Sequence, residues 1–248
     1  MDPPTALVTG ASRGIGRALA CVLASKGYQV ILLARDTEAL QEATREVQSL
    51  SSTSFALPCD LGSHDSINEA ALRCLRSVDR LDVLVHNAGS IVPIRPLLAA
   101  DSTAWAQSMQ VNVLGVQHLT SALASLLRGD HHARVTTISS GASQRPLPSW
   151  SAYCTAKAAL DMWTRCLAEE GANDLISAIS IAPGIVDTQM QQEIRTASPD
   201  DFPLHSTFQA YHDNGELTNP DDVAQKLAPL ILEHTMEQSG QRFDVRDL

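Results

Sequence analysis

Short runs of aliphatic and β-branched residues alternate along the chain with longer stretches in which apolar residues recur at helical spacing. The short runs are typical of strands buried on both faces, and the longer stretches predict helices. Strands are predicted at 6–9, 29–34, 54–57, 81–86, 134–139, 176–182 and 242–245. Helices are predicted near 15–26, 37–50, 65–78, 103–128, 152–171 and 220–234. Because parallel strands need crossover connections, this alternation predicts an α/β fold with a parallel sheet flanked by helices.

The rhythm of the pattern changes after Pro183. Residues 187–215 are rich in Gln, Pro, Asp and His and predict a polar, helical excursion. Long insertions of this kind often cover a binding site, so we expect a substrate lid here. No repeat or linker divides the 248 residues, of which 44% are apolar, and we predict a single domain over 1–248.

Composition limits the class of partner. The formal net charge is −10 and no basic block occurs, which disfavours nucleic acid and anionic membranes. Five cysteines without a C-x-x-C pair indicate neither a disulfide framework nor a zinc site, and His131-His132 beside Asp130 favours a polar turn over a metal site. With no signal peptide and no long apolar run, the sequence predicts a soluble, cytoplasmic protein without a metal.

Two scarce residues stand four positions apart. The chain has three lysines and three tyrosines, and one of each forms the pair Tyr153 and Lys157. On a helix this spacing puts both side chains on one face. A neighbouring ammonium favours phenolate, so the pair predicts a Tyr153 pKa below its ordinary value of about 10. Such a phenol can transfer protons in catalysis; a chance pair on a solvated helix is the alternative.

A glycine-rich segment over 9–16 follows the first predicted strand and opens the first predicted helix. Its glycines are spaced G-x-x-x-G-x-G, which lets a nucleotide pyrophosphate approach the backbone N–H groups at the positive end of a helix. A plain turn is the alternative. The predicted cofactor contacts in this segment are Gly10, Ser12, Arg13, Gly14, Ile15 and Gly16.

The end of the second predicted strand bears on which nicotinamide cofactor is used. Ala34 stands where a carboxylate would bind the ribose diol of NAD, and Arg35 follows at once. Together with Arg13, Arg35 could pair with a ribose 2′-phosphate, which favours NADP. Asp36 argues for NAD if the register shifts, although it could equally be the N-cap of the next helix.

Several further motifs occur in a fixed order. They are the glycine loop, Cys59-Asp60-Leu61, Asn87-Ala88-Gly89, Asn112, Ser140, Tyr153, Lys157 and Pro183-Gly184. In this order the chain resembles the short-chain dehydrogenase/reductase family from residue 5 to about 245. The resemblance implies a single doubly wound Rossmann-type domain with about seven parallel strands. It also implies a homodimer or homotetramer, formed through the helices at 103–128 and 152–171.

Roles follow from the resemblance residue by residue. Ser140, thirteen positions before Tyr153, would polarise the substrate oxygen, and Tyr153 would supply a proton. Lys157 would hold the nicotinamide ribose, and Asn112 would support a water-linked proton path to it. The resemblance also implies cofactor contacts at Asp60, Leu61, Asn87, Ala88, Gly89, Tyr153, Lys157, Pro183, Gly184, Val186 and Thr188.

A narrower resemblance concerns the segments 187–192 and 239–244, which are similar to those of sepiapterin reductases and fungal benzil-reductase-like proteins. It implies that Asp244 contacts substrate; Asp244 could equally just end the last strand. The predicted substrate-site residues are Ser140, Trp150, Tyr153, Met190 and Asp244, with Ile91 as a further lining residue.

Together these features predict NADPH-dependent reduction of a ketone or dicarbonyl, such as a vicinal diketone or a pterin side-chain ketone. Two alternatives stay open: an NAD-dependent alcohol dehydrogenase that works oxidatively, and a non-catalytic protein that senses NADPH. The predicted partner is a small carbonyl compound, with neither nucleic acid nor membrane.

Overall fold

Seven parallel strands form one sheet in the computed structural model, which describes residues 3–35 and 37–248. The spatial order is β3-β2-β1-β4-β5-β6-β7, and every neighbouring pair is parallel. The strands are β1 (Thr5–Thr9), β2 (Gln29–Ala34), β3 (Phe55–Pro58), β4 (Val83–His86), β5 (Ala133–Ile138), β6 (Ile176–Ala182) and β7 (Arg242–Asp244). The predicted α/β fold class and the parallel sheet of about seven strands are confirmed.

Helices cover both faces of this sheet. They are α1 (Gly14–Ser25), α2 (Glu38–Leu50), α3 (His64–Ser77), α4 (Ser102–Met109), α5 (Gly115–Ala122), α6 (Ala124–Leu127), α7 (Ser151–Glu170), α8 (Gln189–Arg195), α9 (His205–Asp213) and α10 (Pro220–Glu233). One apolar core packs α1, α2 and α10 against the sheet, and a second packs α3, α5 and α7 against the opposite face. Burial on both sides explains why the strands lack polar alternation.

The strand order creates a crevice. From β3, at one edge, the chain crosses over to form β4 on the far side of β1. The connections that leave β1 and β4 therefore run in opposite directions. In open α/β sheets, ligands bind at the carboxyl ends of the strands at such a switch point.

A helical segment lies where one is predicted, near 103–128, and it is irregular. The segment divides into α4, a π-helical turn at Gln110–Leu114, α5 and α6. Asn112 Nδ2 donates to the carbonyl oxygen of Ser108 at 2.9 Å and so competes for an acceptor that a regular helix gives to a backbone N–H. The widened turn is therefore a local consequence of the Asn112 side chain.

The excursion at 187–215 contains α8 and α9, as its helical pattern predicts. It packs onto the rest of the molecule through a third apolar cluster that includes Trp150, Tyr153, Ile194 and Phe202. This cluster joins the excursion to the first turn of α7. A lid function for the excursion stays a prediction.

None of the helices described here has the length and apolarity that a membrane crossing needs. Likewise, no group of three or more His, Cys, Asp or Glu side chains within 3–35 and 37–248 could hold a metal ion.

Candidate active site

A cleft of about 760 Å³ opens where β1, β2, β4, β5 and β6 end. Most of the predicted site residues lie around it. Those that line it are Gly10, Ser12, Arg13, Gly14, Ile15, Arg35, Asp60, Leu61, Asn87, Ala88, Gly89, Tyr153, Lys157, Pro183, Thr188 and Met190. Sequence positions up to 180 residues apart thus meet at the switch point of the sheet.

The glycine loop keeps side chains out of this part of the cleft. Gly10 has a φ of +66°, and a Cβ there would lie 2.9 Å from Cα of Ala88. A Cβ on Gly16 would lie 2.3 Å from the carbonyl oxygen of Gly10, so α1 packs closely on the loop that precedes it. Within the described chain no side chain caps α1, which leaves the first N–H groups of the helix available to an anion.

Asn87 ties the end of β4 to the end of β1. Its Nδ2 donates to the carbonyl oxygen of Thr9 at 2.9 Å, and its backbone N–H donates to Thr9 Oγ1 at 3.0 Å. The N–H of Ala88 donates to the same hydroxyl at 3.0 Å. These bonds fix the floor of the cleft, so Asn87 has a structural role besides its predicted cofactor contact.

Two other predicted contacts also have local roles. The Oδ1 of Asp60 accepts from the N–H of Gly62 at 2.8 Å, which closes a turn after β3. Thr188 is at the N-cap position of α8, and its methyl group would lie 3.1 Å from a Cβ on Gly14. Both side chains nevertheless line the cleft.

Three predicted cofactor residues lie behind the cleft surface. Gly16 is buried in the packing of α1 against the glycine loop. Gly184 has a φ of +79°, which favours glycine at the sharp turn after β6. Val186 is buried in the core and its backbone pairs with Thr218. We expect these residues to shape the cleft through the backbone.

Two arginines line the cleft. Arg35 is exposed at the end of β2. Arg13 donates from Nη1 to Oε1 of Gln189, and so joins the glycine loop to the start of α8. Asp36, the residue that argued for NAD, lies outside the described residues.

Tyr153 and Lys157 share the inner face of α7, as their spacing predicts. Their residues are 6% and 3% exposed, and Lys157 Nζ lies 5.6 Å from the centroid of the Tyr153 ring. The ammonium donates to the carbonyl oxygen of Ile138, at the end of β5, at 2.7 Å. Lys157 therefore bridges α7 to the sheet at the edge of the cleft.

The predicted lowering of the Tyr153 pKa by Lys157 is wrong for this structure. Burial raises the pKa of Tyr153 to about 12, with the Ser140 side chain acting in the opposite direction. Burial also lowers the pKa of Lys157 to about 8. Desolvation opposes charge on both groups and is the largest cause of both shifts. At neutral pH the phenol therefore carries its proton.

Ser140 and Asn112 lie beside this pair. Neither belongs to the described residues that line the cleft. Ser140 follows β5, and its hydroxyl accepts from the N–H of Ala142 at 3.1 Å. The Ser140 side chain also acts to lower the pKa of Tyr153. Asn112 accepts at Oδ1 from the N–H of Ser90 and donates to the carbonyl oxygen of Ser90, each at 2.9 Å. A Cβ on Gly89 would lie 2.9 Å from Asn112 Oδ1 and 3.6 Å from Lys157 Nζ, so both side chains converge on Gly89.

The predicted substrate residues separate into two groups. Met190 lines the cleft and packs against the third apolar cluster, in which Ile91 is buried. Trp150 is buried against Phe202, with ring centroids 5.5 Å apart and an interplanar angle of 9°. The Asp244 carboxylate is bound by Arg246, whose Nη2 lies 2.6 Å from Oδ2. Substrate contacts by Trp150 and Asp244 stay predictions.

The sequence as a whole matches a known family over most of its length. The family model described as short chain dehydrogenase matches residues 4–199. The chain belongs to the short-chain dehydrogenase family. It is therefore an oxidoreductase of a family that binds a nicotinamide cofactor, and the cleft at the β1/β4 switch point is its candidate active site.

Other short-chain dehydrogenases are similar over nearly the whole chain. Benzil reductase ((S)-benzoin forming) from Bacillus cereus is 31% identical, covering 91% of this chain and 92% of that protein. Sepiapterin reductase from Rattus norvegicus is 34% identical over 98% and 96% of the two chains. The structure of a short chain dehydrogenase from Escherichia coli CFT073 complexed with NADPH superposes with a TM-score of 0.84, at 27% identity, over 99% and 98% of the two chains.

Sequence reasoning missed several residues around the active site. The cleft is also lined by Ser90, Val92, Gln107, Val111, Ile138, Ser139, Gln189 and Glu193. Ser90 and Ser139 adjoin predicted site residues shortly after a strand ends. That position could have predicted them, because ligands bind at the carboxyl ends of parallel strands. Gln107 and Val111 come from the α4 region, which only the tertiary fold brings to the cleft.

Proposed function

We propose that this short-chain dehydrogenase reduces a ketone or dicarbonyl to an alcohol with NADPH, and that Tyr153 is the proton donor. The observation that carries the proposal is the buried Tyr153 phenol beside Ser140 and Lys157 at the end of the cleft. A phenol whose pKa is raised to about 12 retains its proton until a more basic oxygen is present. An alkoxide that forms on carbonyl reduction is such an oxygen.

The residues of the cleft fit a dinucleotide. Gly10 and Gly16 leave the backbone accessible where a side chain would clash, and the start of α1 offers N–H groups to a pyrophosphate. Asn87, Gly89 and Thr188 continue the lining toward Lys157. These residues would hold the cofactor, and the bound nicotinamide supplies the hydride.

The remaining chemistry belongs to the chain itself. Ser140 would donate to the substrate oxygen and stabilise the negative charge that grows there. Tyr153 would release its proton to that oxygen. Lys157, still mainly charged at pH 7 with a pKa of about 8, would bind the nicotinamide ribose and stabilise the phenolate left behind. Asn112 would hold the loop at Ser90 and support proton return to Lys157.

NADPH is favoured over NADH by charge. Ala34 offers no carboxylate to a ribose diol, and Arg35 lines the cleft at that point with an exposed guanidinium. A guanidinium binds phosphate through charge-assisted hydrogen bonds. The similar E. coli structure complexed with NADPH supports the same choice.

The proposed substrates are compact carbonyl compounds with apolar or aromatic substituents. Met190 and Val92 line the cleft, and Ile91 lies in the apolar cluster beneath it. Similarity to a benzil reductase and a sepiapterin reductase favours a vicinal diketone or a pterin side-chain ketone.

The test is a rate measurement over a chemical panel. NADPH consumption is followed with benzil and other diketones, sepiapterin, quinones and ketosteroids, and with NADH as the matched cofactor. We expect turnover with at least one dicarbonyl or pterin ketone, faster with NADPH. Binding of NADPH without any turnover would favour a sensor, and alcohol oxidation with NAD alone would favour the oxidative alternative.

A further inference from the structure

Asp161 continues the stripe of α7 that carries Tyr153 and Lys157. The three residues follow one another at intervals of four, so their side chains share one helix face. They are 6%, 3% and 9% exposed in chain order. A buried carboxylate is costly unless other groups compensate it, so Asp161 requires partners.

Its main partner comes from the last strand of the sheet. Arg242, in β7, places Nε 3.3 Å from Oδ2 of Asp161. The same guanidinium donates from Nη2 to the carbonyl oxygen of Ser140 at 3.2 Å. Gln144 Nε2, in the segment after Ser140, donates to Asp161 Oδ2 at 3.4 Å. The ion pair thus joins β7 to α7. The two hydrogen bonds attach residues 140–144, the Ser140 segment, to this pair.

The pairing leaves part of the carboxylate charge uncompensated. Asp161 Oδ1 is buried and has no hydrogen-bond partner in the described part of the chain. The Arg242 Nε–H is not aligned for a hydrogen bond, so its contact with Asp161 is an ion pair. Burial lowers the pKa of Lys157, and the negative charge of Asp161 partly opposes that lowering.

We infer that Asp161 and Arg242 are positioning residues of the active site: Arg242 holds the Ser140 segment against α7, and Asp161 keeps Lys157 charged. Their effect on catalysis rests on the proposed function. Their effect on the charge of Lys157 does not, and it can be measured in the protein without substrate.

Neutral variants of Asp161 and Arg242 should shift the pH at which Lys157 loses its proton in opposite directions. Among the described residues, the charged group that acts on Lys157 is Asp161 on the same helix, and Arg242 on β7 pairs with Asp161. The Tyr153 phenol is neutral until far higher pH. Asp161→Asn removes a negative charge, so Lys157 should lose its proton at lower pH. Arg242→Gln removes the positive partner of Asp161, so Lys157 should lose its proton at higher pH.

NMR of ¹⁵N-labelled lysine side chains measures this directly, because the chain has only three lysines and Lys157→Arg assigns the signal. We expect the Lys157 titration midpoint, near pH 8 in the parent protein, to fall by about one unit in Asp161→Asn and to rise in Arg242→Gln. Arg242→Lys retains the charge and should leave the midpoint near the parent value. Midpoints that stay unchanged, or that move in the same direction in both variants, would overturn the inference.

A kinetic readout follows in the same variants. For Asp161→Asn we expect the alkaline limb of the kcat profile to move to lower pH in step with the NMR midpoint. Arg242→Gln should lower kcat at every pH, since the Ser140 segment loses its anchor, and Arg242→Lys should restore most of it. A parent enzyme that turns over none of the carbonyl panel would contradict the proposed function and leave the NMR result to decide this inference.

Discussion

At the scale of single residues, burial decides the protonation of the two central groups of the cleft. It raises the pKa of Tyr153 and lowers that of Lys157, so the phenol is protonated at neutral pH and the lysine is less basic than in water. The spacing of the two residues predicted their shared helix face correctly. It could not predict the direction of the Tyr153 shift, because desolvation depends on the residues that the whole fold packs around the phenol.

Arg35 tests the choice of cofactor. Its exposed guanidinium is placed to bind a 2′-phosphate, which only NADPH carries, and charged hydrogen bonds contribute about 1.5–3 kcal/mol. Arg35→Ala should therefore raise the dissociation constant of NADPH about tenfold or more and change that of NADH little. Both dissociation constants can be measured from the quenching of protein fluorescence, or from energy transfer between the protein and the bound cofactor. Arg45→Ala, an exposed arginine on α2, is the control, and equal losses for the two cofactors would count against the assignment.

At the scale of elements, the excursion that carries α8 and α9 is attached to α7 by aromatic packing. Phe202 is fully buried and stacks on Trp150, while Phe208 lies 5.1 Å from Trp150 between ring centroids. Trp150 also meets Tyr153 edge to face at 5.7 Å. The excursion and Tyr153 therefore share one packing unit.

Phe202→Ala tests this link. Removing the ring creates a cavity between the excursion and α7, at a cost of about 3–5 kcal/mol in local packing. We expect faster hydrogen exchange over 187–215 and a lower kcat/KM, because the excursion no longer holds Trp150 and the substrate side of the cleft. Phe55→Ala is the control, because this partly buried ring on β3 packs against the second apolar core and away from the excursion. If hydrogen exchange rose equally along the whole chain in both variants, residues 187–215 would not behave as a separate lid.

Some elements could be predicted from the sequence and others could not, for a physical reason. Strand positions followed from continuous apolar runs, and the glycine loop followed from backbone conformations that only glycine adopts easily. The π-helical turn coincides with hydrogen bonds from the Asn112 side chain to Ser108, and no periodicity reveals such bonds. The ion pair of Asp161 with Arg242 joins residues 81 positions apart and needed the assembled sheet.

At the scale of the whole molecule, two large apolar side chains are exposed on the helices that the family resemblance assigns to subunit contacts. Leu114, before α5, is 51% exposed, and Met162, on α7, is 53% exposed. These are the helices through which the family resemblance predicts a dimer or tetramer. Light scattering should give a multiple of the 26.6 kDa chain mass, and Met162→Glu should shift the population toward the single chain. A parent protein with the mass of one chain would contradict association and leave the chemistry unaffected.

The molecule as a whole brings a cleft and the buried Tyr153 phenol to the carboxyl ends of the parallel strands, and we propose that Tyr153 gives the proton. The most direct test is the rate of NADPH consumption by Tyr153→Phe, with the best carbonyl substrate of the parent enzyme. The substitution keeps the ring and removes the hydroxyl, so NADPH should still bind while the rate falls by a factor of about 10² to 10⁴. A rate close to that of the parent enzyme would contradict the account.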